Sequence, residues 1–449
     1  MKKPVLAAIL ATLLVLSVAS CGQPTTTTVA EPTEAAQQPP AGAAEVVELV
    51  YMRQAEGTPV ELELIDEFNS AHPNIHVTVD SVPAQDNYSK LAVTTEGGTP
   101  PDVFMTYFTI GAATNGLAMD LTPFIEREGE AFYNMYVKGA WEFNQFGDKI
   151  YGIPYRVAPN VVILNVKMVR DAGLEIPSNR GWTWDEFVAF AQELTDPAKE
   201  TYGYCLTGSA EALGTDAQFQ AFLFSNGGKM ITEEGLAGFN SPAGVETLQF
   251  LTDVVNVHGM VPPGTTSATE NICPDLVASN KAAMWMDGSI WEGIIKIMHP
   301  DVELTLLPIP TNRAQATMNG GTGFGMSSKT EHPEEAWEFM KYLASDAVQL
   351  EWSLAAGWQP GNVAVLNDPQ FTANQDNATV GWIMQNYTIY QLSNYPDNAN
   401  LEAILRTYLQ ASYLGTMTPQ EALDAAAAEW NPILEQYQSE NWWSGTWGY

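Results

Sequence analysis

Polar and aromatic side chains follow several of the predicted strands, and their types suit the binding of a neutral, polar solute. Gln54 and Glu56 come after the first predicted strand, at the crevice end expected for an α/β sheet. Both side chains can exchange hydrogen bonds with hydroxyl groups, but Glu56 can equally serve to stabilise the N-terminus of the next helix. Tyr107, Tyr155 and Arg156 stand in segments interpreted as loops after other strands. These five residues are candidates for a binding site.

Two further candidates stand beside glycines. Asn319 precedes Gly320 and Gly321, which permit a close approach of the backbone. Trp358 lies in the segment Ala355-Ala356-Gly357-Trp358-Gln359-Pro360, which reads as a turn after a helix. A bulky ring in such a turn can plug the surface or cover a bound ligand.

Motifs for metal, nucleotide or esterase chemistry are missing from the sequence. His72 and His76 are separated by Pro73, which denies them the shared helical face of a zinc protease motif. The run Gly321-Thr322-Gly323-Phe324-Gly325 has its third glycine one residue too early for a dinucleotide fingerprint, and it is interpreted as a strand. The sequence contains no Gly-x-Ser-x-Gly elbow and no P-loop lysine motif. We therefore expect neither a metal nor a cofactor.

The composition describes a folded, strongly acidic protein. The 449 residues suit two lobes, and 45% of them are apolar, which is enough to build a core. Against 53 Asp and Glu stand 19 Lys and Arg, for a net charge of −34. Such a surface repels a phosphate backbone and an anionic membrane, so nucleic acid is excluded as a partner. The shortage of cations also favours a neutral ligand over a phosphorylated one.

The first residues are typical of an export signal. Lys2 and Lys3 precede an apolar stretch, Pro4 to Val18, that is too short to span a bilayer comfortably. The following Ala19-Ser20-Cys21 resembles the lipobox of bacterial lipoproteins, which implies cleavage after residue 20 and acylation of Cys21. The alternative is an ordinary signal peptide that ends at a chance cysteine. Residues 21–45 then form an anchored Thr/Pro/Ala-rich tether that holds the folded body outside the cytoplasm.

Cys205 and Cys273 remain as a pair in a compartment where disulfides form. If bridged, they close a loop of about 69 residues and stabilise the fold by about 4 kcal/mol in the chain-entropy model. The alternative is two separate buried thiols. Neither cysteine has a partner at the spacing of a zinc site.

Helix and strand patterns alternate through the body of the chain. Thr58-Pro59-Val60-Glu61 predicts a capping box that opens a helix, between strands at Val46–Val50 and Ile75–Val79. The other elements predicted in the same way are helices beginning at Thr183, Ser241, Pro333 and Thr418, and strands at Val161–Val166 and Val302–Pro308. This alternation predicts an α/β protein with parallel sheets covered by helices.

The order of several short motifs resembles that of the extracellular solute-binding proteins of bacterial ABC importers, in the maltose and multiple-sugar branch called family 1. The motifs are Phe68-Asn69-Ser70-Ala71-His72-Pro73-Asn74-Ile75, Gly98-Thr99-Pro100-Pro101-Asp102-Val103, Gly116-Leu117-Ala118-Met119-Asp120-Leu121, Tyr151-Gly152-Ile153-Pro154-Tyr155, Lys281-Ala282-Ala283-Met284, and Pro333-Glu334-Glu335-Ala336-Trp337-Glu338-Phe339. Each motif alone is weak, but together they run along nearly the whole mature chain.

This resemblance implies a type II periplasmic-binding-protein fold, with two α/β lobes, three hinge crossings and the ligand in the cleft between the lobes. The crossings are expected near Ala158–Val162, Leu306–Pro310 and Asn362–Leu366. Lobe one then comprises 46–160 plus 309–364, and lobe two comprises 161–308 plus 365–449. Hinged walls of this kind can enclose a solute.

The resemblance also implies a sugar as the ligand. Aromatic rings suit the apolar C–H faces of a sugar, and planar polar side chains suit its hydroxyl fringe. The family places an aromatic residue at the cleft after the Ala-Ala-Met segment, which points to Trp291, with Trp285 and Asp287 in the same loop. Trp285 can instead be core, because Ala283, Trp285 and Asp287 alternate like a strand. The preferred solute can be a disaccharide, an oligosaccharide or a polyol.

One departure from the family concerns the first crossing. Maltose-type members commonly place a carboxylate there, whereas this chain has Arg156-Val157-Ala158-Pro159-Asn160. The implied role is that of a monomeric, non-enzymatic component that delivers its sugar to a membrane permease. The alternative is a secreted carbohydrate hydrolase with a carboxylate pair. The aromatic tail at 441–449 is interpreted as docking onto lobe two, or as a partner surface.

Overall fold

A computed structural model describes residues 46–55, 57–83, 86–106, 109–269, 271–391 and 398–439. The predicted signal and tether, the predicted acylation site Cys21, the candidate residues Glu56 and Tyr107, and the tail at 441–449 lie outside these residues. From Val46 onward the chain forms one compact unit, and the lobe boundaries given above stay a prediction.

Runs of apolar and β-branched residues form the strands of one large sheet and of a separate two-stranded pair. The strands are β1 (Val47–Gln54), β2 (Ile75–Val82), β3 (Val103–Thr106), β4 (Gln145–Phe146), β5 (Lys149–Ile150), β6 (Ile153–Asn165), β7 (Tyr202–Cys205), β8 (Ala282–Gly288), β9 (Leu304–Pro308), β10 (Ala316–Met326), β11 (Gln359–Pro360) and β12 (Thr388–Gln391). They follow the order β2-β1-β3-β10-β6-β8-β7, with β9 and β11 on β6 and β12 on β10, while β4 and β5 pair separately.

The sheet is mixed, so the prediction of parallel sheets is wrong at its centre. β1 lies parallel to β2 and β3, and β7 lies parallel to β8. β10 runs antiparallel to β3 and β6, and β6 runs antiparallel to β8, β9 and β11. The chain runs along β6 in one direction and along β10 in the opposite direction. These neighbouring strands therefore pair antiparallel.

β6 is the strand shared by two groups of strands. Its first part pairs with β10, up to the partners Pro159 and Asn319. From Asn160 onward it pairs with β8 and β9 instead. The partners therefore change between Pro159 and Asn160, inside the range predicted for the first crossing.

Helices cover the sheet and occur where apolar residues recur at helical spacing. They are α1 (Pro59–Ala71), α2 (Asn87–Glu96), α3 (Thr109–Thr114), α4 (Thr122–Glu128), α5 (Glu130–Tyr133), α6 (Lys138–Glu142), α7 (Val166–Ala172), α8 (Trp184–Glu193), α9 (Leu213–Ser225), α10 (Pro242–Asn256), α11 (Ile272–Ala278), α12 (Ile290–Met298), α13 (Pro333–Ala344), α14 (Asp346–Ala356), α15 (Val363–Leu366), α16 (Pro369–Thr372), α17 (Gln375–Asn386), α18 (Asn398–Tyr413) and α19 (Pro419–Ser439). Of the described helices, none is long and apolar enough to cross a membrane.

Sequence signals for helix starts succeed at three positions and fail in part at one. Thr183 forms the predicted capping box with Glu186, Ser241 caps α10, and Thr418 exchanges the same pair of hydrogen bonds with Glu421. At α1 the helix is present, but the side chain of Thr58 makes no cap and its Oγ1 accepts a hydrogen bond from Trp352 instead. The predicted capping box at Thr58 is therefore wrong.

The structure joins Cys205 to Cys273 in a disulfide, with their Cα atoms 5.6 Å apart. Cys205 ends β7 and Cys273 lies in α11, and both are fully buried. The bridge thus fastens a helix to the edge strand of the sheet.

Candidate functional site

An arginine–tryptophan pair stands at the edge of the sheet where β11 meets β6. The guanidinium carbon of Arg156 lies 4.9 Å from the ring centroid of the half-buried Trp358. Arg156 itself is only 7% exposed, which strengthens the attraction between cation and ring. The Tyr155 ring stands edge-on to Trp358 at 5.2 Å and tilts against Trp352 at 4.4 Å. Together these residues form an aromatic wall.

The local sequence explains how Trp358 reaches this position. α14 ends at Ala356, and Gly357 adopts a left-handed conformation with φ of 69° that a side chain would disfavour. The chain then turns directly into β11, where Gln359 pairs with Val157 and Pro360 with Arg156. The turn therefore presents Trp358 to Arg156 across the strand pair.

Buried polar atoms lie along strands of the sheet that carries this wall. Within the described part of the chain, four of them find no hydrogen-bond partner: Nδ2 of Asn160, Nδ2 of Asn319, Oγ1 of Thr322 and Nε2 of Gln54. Each such atom costs about 1–3 kcal/mol when it stays unsatisfied, so the group needs water or a polar ligand. Three of the atoms are amide donors, which suit hydroxyl oxygens.

Strand register brings most of these atoms to the region where β6 changes partners. Asn319 pairs with Pro159, next to Asn160, and its Oδ1 accepts a hydrogen bond from the Ala158 amide at 2.8 Å. Thr322 pairs with Arg156. Gln54 ends β1, which joins this region through β3 and β10.

A buried ion pair holds the chain on either side of Gln54. The Nε of Arg53 lies 2.8 Å from a carboxylate oxygen of Glu61, and the hydroxyl of Tyr51 donates to the other oxygen at 2.9 Å. Burial raises the pKa of Glu61 to about 7, against the opposing effect of Arg53. This contact ties the end of β1 to the first turn of α1.

A second aromatic pair lies at the junction of β8 and α12. Trp285 is fully buried, and its Nε1 donates to Thr207 at 3.1 Å, which fits the core interpretation. Trp291 is the second residue of α12, and its half-buried ring stands edge-on to Trp285 at 5.3 Å. Asp287 lies in β8, where its Oδ1 accepts the amide of Gly288 at 2.7 Å. Trp285 and Asp287 therefore belong to a strand and not to the predicted loop.

Two other sequence-based placements need correction. Tyr155 and Arg156 lie inside β6 and not in a loop, because the strand begins at Ile153. Tyr155 is 3% exposed and packs on Phe324, so its ring belongs to the core side of the aromatic wall. The close backbone approach expected at the glycines occurs at Gly321, where a Cβ would lie 2.8 Å from the Arg156 carbonyl oxygen. This close approach is therefore one between the paired strands β10 and β6.

Sequence reasoning missed one link between the two aromatic pairs. The hydroxyl of Ser289 donates to Oε1 of Gln359 at 3.1 Å, and the amide of Ser289 donates to the Pro159 carbonyl at 2.9 Å. Ser289 precedes α12, whereas Gln359 opens β11, so the bond joins segments 70 residues apart. Asn160 and Thr322 were missed as well, and the glycines on either side of Thr322 are the one sequence signal near them.

The described residues include no group of three or more His, Cys, Asp or Glu side chains that could hold a metal ion. The donors around the aromatic wall are amides, hydroxyls and one guanidinium. This set can bind a neutral polar molecule by hydrogen bonds and ring stacking.

Comparison with known proteins gives consistent matches. A family model described as bacterial extracellular solute-binding protein matches residues 54–350. The chain is similar to the arabinooligosaccharide-binding protein of Bacillus subtilis, with 23% identity over 397 residues that cover 82% of this chain and 88% of the relative. It is also similar to the multiple sugar-binding protein of Streptococcus mutans, with 25% identity over 67% of this chain and 71% of the relative.

Solved structures with the same fold include two binding proteins. An ABC substrate-binding protein from Listeria monocytogenes in complex with cycloalternan has a TM-score of 0.71 and 23% identity, over 87% of this chain and 100% of the other. The sugar-binding protein MalE from Xanthomonas citri has a TM-score of 0.76 and 16% identity, over 88% and 99%. The predicted α/β periplasmic-binding-protein fold is thereby confirmed.

Proposed function

Because the chain belongs to the bacterial extracellular solute-binding proteins, we propose that it captures a sugar for an ABC importer and releases it unchanged to a membrane permease. Di- or oligosaccharides are the preferred ligands of this proposal, in keeping with the sugar-binding names of its relatives. The protein acts in this role as a monomer without a cofactor and without catalysis.

The observation that carries the proposal is the aromatic wall beside buried amide donors. A sugar ring can stack its C–H face on Trp358, while its hydroxyls exchange hydrogen bonds with Nδ2 of Asn160 and Oγ1 of Thr322, which share the Arg156 face of their strands. The guanidinium of Arg156, held over the indole of Trp358, can also donate hydrogen bonds to the hydroxyls of a neutral ligand. Trp291 contributes a second ring on the opposite side of the crossing in β6.

Capture in this proposal depends on movement of two lobes about the crossings near Ala158–Val162, Leu306–Pro310 and Asn362–Leu366. The change of strand partners between Pro159 and Asn160 supports the first of these positions. A ligand that touches both lobes favours the closed form, because the contacts from one wall are missing when the cleft opens.

The proposal also includes extracytoplasmic anchoring through an acylated Cys21. The family description places related proteins outside the cell, and one similar protein, from Streptomyces antibioticus, is named a lipoprotein. The acidic net charge keeps the folded body off an anionic bilayer, so attachment rests on the lipid alone. Metabolic labelling with a radioactive fatty acid should label the wild-type protein and leave Cys21→Ser unlabelled.

A thermal-shift screen against a panel of sugars and polyols tests the proposed function. A true ligand raises the unfolding temperature, since binding stabilises the folded state by mass action. With that ligand, Trp358→Ala and Trp291→Ala should each weaken the affinity about tenfold or more, which is about 1.4 kcal/mol. Trp382→Ala is the matched control, because Arg180 lies 5.3 Å from the Trp382 ring in a similar pair elsewhere.

The hydrolase alternative is decided in the same preparation. Incubation with oligosaccharides should leave every substrate intact, whereas steady release of smaller sugars would support the enzyme. A panel without any stabilising sugar, or unchanged affinity in both tryptophan variants, would reject the assigned site.

A further inference from the structure

The buried hydroxyl of Thr207 links the disulfide to the aromatic pair at the junction of β8 and α12. Its Oγ1 accepts a hydrogen bond from Nε1 of Trp285 at 3.1 Å and donates to Sγ of Cys273 at 3.9 Å, a weak contact with sulfur. Thr207, Trp285 and both bridged cysteines are fully buried. The two contacts of this hydroxyl are therefore made away from water, where a lost partner is costly to replace.

The chain around Thr207 is fixed by hydrogen bonds from two other buried threonines. Oγ1 of Thr215, in the first turn of α9, donates to the carbonyl oxygen of Thr207 at 3.2 Å. Oγ1 of Thr265 donates to the carbonyl oxygen of Leu206 at 2.8 Å. Cys205, two positions before Thr207, is covalently bound to α11 through the disulfide. Thr207 therefore has little freedom to turn away from Trp285.

The same hydrogen bond fixes the orientation of the Trp285 ring. Trp285 lies between two strands, paired with Cys205 of β7 and with Ile163 of β6. Register partners in neighbouring strands present their side chains on one face, so the indole lies on the face of the sheet that carries the disulfide. An indole has one polar hydrogen, and Trp285 uses it on Thr207.

Trp291 in turn rests its ring on Trp285. The backbone before Trp291 is held by Ser289, whose amide donates to the Pro159 carbonyl at 2.9 Å and whose hydroxyl donates to Gln359 at 3.1 Å. The half-buried indole of Trp291 meets Trp285 at 5.3 Å with 69° between the ring planes, the edge-to-face arrangement that aromatic pairs favour. A rotation of Trp285 would remove this support.

We propose that Thr207 is a positioning residue of the sugar site: it holds Trp285 and thereby orients the ring of Trp291, while the disulfide between Cys205 and Cys273 holds Thr207 in place. Removal of the hydroxyl leaves the buried Nε1 of Trp285 without an acceptor, so the ring turns and Trp291 loses its support. The inference rests on the proposed function for the role of Trp291, but the orientation of that ring can be measured without any sugar.

Fluorine NMR on the full-length, ligand-free protein tests the path to Trp291. The protein is labelled with fluorotryptophan, and the Trp291 resonance is assigned by its absence in Trp291→Phe. Thr207→Val keeps the shape of the side chain but removes the hydroxyl, so it should shift or broaden this resonance, whereas Thr207→Ser should keep it at the wild-type position.

Thr247→Val is the matched control for this measurement. Thr247 is also fully buried, and its hydroxyl likewise donates and accepts, to the Ala243 carbonyl at 2.7 Å and from the Asn226 side chain at 3.2 Å, but it lies in α10. This variant should leave the Trp291 resonance in place. An unmoved resonance in Thr207→Val, or an equal change in Thr247→Val, would overturn the proposal.

The part of the disulfide is tested with Thr207 unchanged. Cys205→Ala/Cys273→Ala should shift or broaden the Trp291 resonance in the ligand-free protein. Reducing agent should cause the same change in the wild type and none in the double variant. A Trp291 resonance that keeps its wild-type position after loss of the bridge would overturn the role given to the disulfide.

Sugar affinity connects this positioning to the binding site. With a sugar found by the thermal-shift screen, Thr207→Val should weaken binding about fivefold, the effect of about one hydrogen bond, while Thr207→Ser and Thr247→Val should bind like wild type. A shifted resonance with unchanged affinity would overturn the assignment of Thr207 to the sugar site. A screen in which no sugar binds would instead reject the proposed function, and the fluorine spectra would still decide whether Thr207 orients Trp291.

Discussion

At the scale of single residues, Glu61 illustrates how a buried carboxylate depends on its partner. Glu61 is fully buried and Arg53 is 4% exposed, so removal of the carboxylate leaves a buried guanidinium without a counter-charge. Glu61→Ala should therefore lower the free energy of unfolding by about 3–5 kcal/mol, measured by urea denaturation. The control is Glu334→Ala, which breaks the exposed pair with Arg127 and should cost less than about 1 kcal/mol. Similar losses in the two variants would contradict this account.

Arg406 presents a related situation, because one guanidinium serves two buried carboxylates. It lies 2.9 Å from Asp216 and 3.7 Å from Glu402. Burial, followed by the negative charge of Asp216, raises the pKa of Glu402 to about 8. Burial likewise raises the pKa of Asp216 to about 6, against the opposing effect of Arg406. Burial therefore favours the protonated form of Glu402 relative to the unfolded chain.

This raised pKa makes stability depend on pH in a definite direction. The folded protein holds the Glu402 proton more tightly than the unfolded chain does, so the free energy of unfolding falls as pH rises from about 5 to 8. Glu402→Gln should flatten this fall and unfold at a higher temperature than wild type at pH 8. The exposed variant Glu63→Gln should follow the wild-type curve. A wild-type curve without any decline over this range would refute the assignment.

At the scale of elements, the disulfide between β7 and α11 provides a test of chain entropy. The bridged cysteines are 68 positions apart, and closing a loop of that length stabilises the fold by about 4 kcal/mol in the chain-entropy model. Cys205→Ala/Cys273→Ala should lower the free energy of unfolding by about this amount in urea. Reducing agent should destabilise the wild type and leave the double variant unchanged. If reductant shifts neither midpoint, the bridge contributes no stability.

Local signals predicted the elements whose determinants are local. Thr183 and Glu186 form their capping box because both partners lie within one helical turn. The same pattern at Thr58 fails, because Glu61 turns to Arg53 and Tyr51 on the neighbouring strand. The start of β6 was missed because the strand is almost fully buried along its length. It therefore lacks the polar alternation that marks a half-exposed strand.

At the scale of the whole molecule, the candidate site depends on contacts between distant segments. Trp358 and Asn319 could be selected by residue type and neighbouring glycines. Their position relative to Asn160 and Thr322 depends on the register between β6 and β10, which the sequence alone does not disclose. The bond from Ser289 to Gln359 is likewise created by the crossing of β6. The resemblance to the family predicts the fold, whereas the detailed partners follow only from the way the chain folds in three dimensions.

Closure of the two proposed lobes depends on single side chains, on the crossings between the lobes and on the movement of the whole molecule. A sugar that contacts Trp358 on one wall and Trp291 on the other can favour only the form in which both contacts exist. Saturating ligand should therefore decrease the radius of gyration measured by small-angle X-ray scattering. At a concentration 100-fold above Kd it should also stabilise the protein by about 2.7 kcal/mol. Trp358→Ala should require about tenfold more sugar for both effects, whereas Trp382→Ala should titrate like wild type. Stabilisation without any change in the radius of gyration would mean that the sugar binds to a rigid protein, and hinge closure would have to be abandoned.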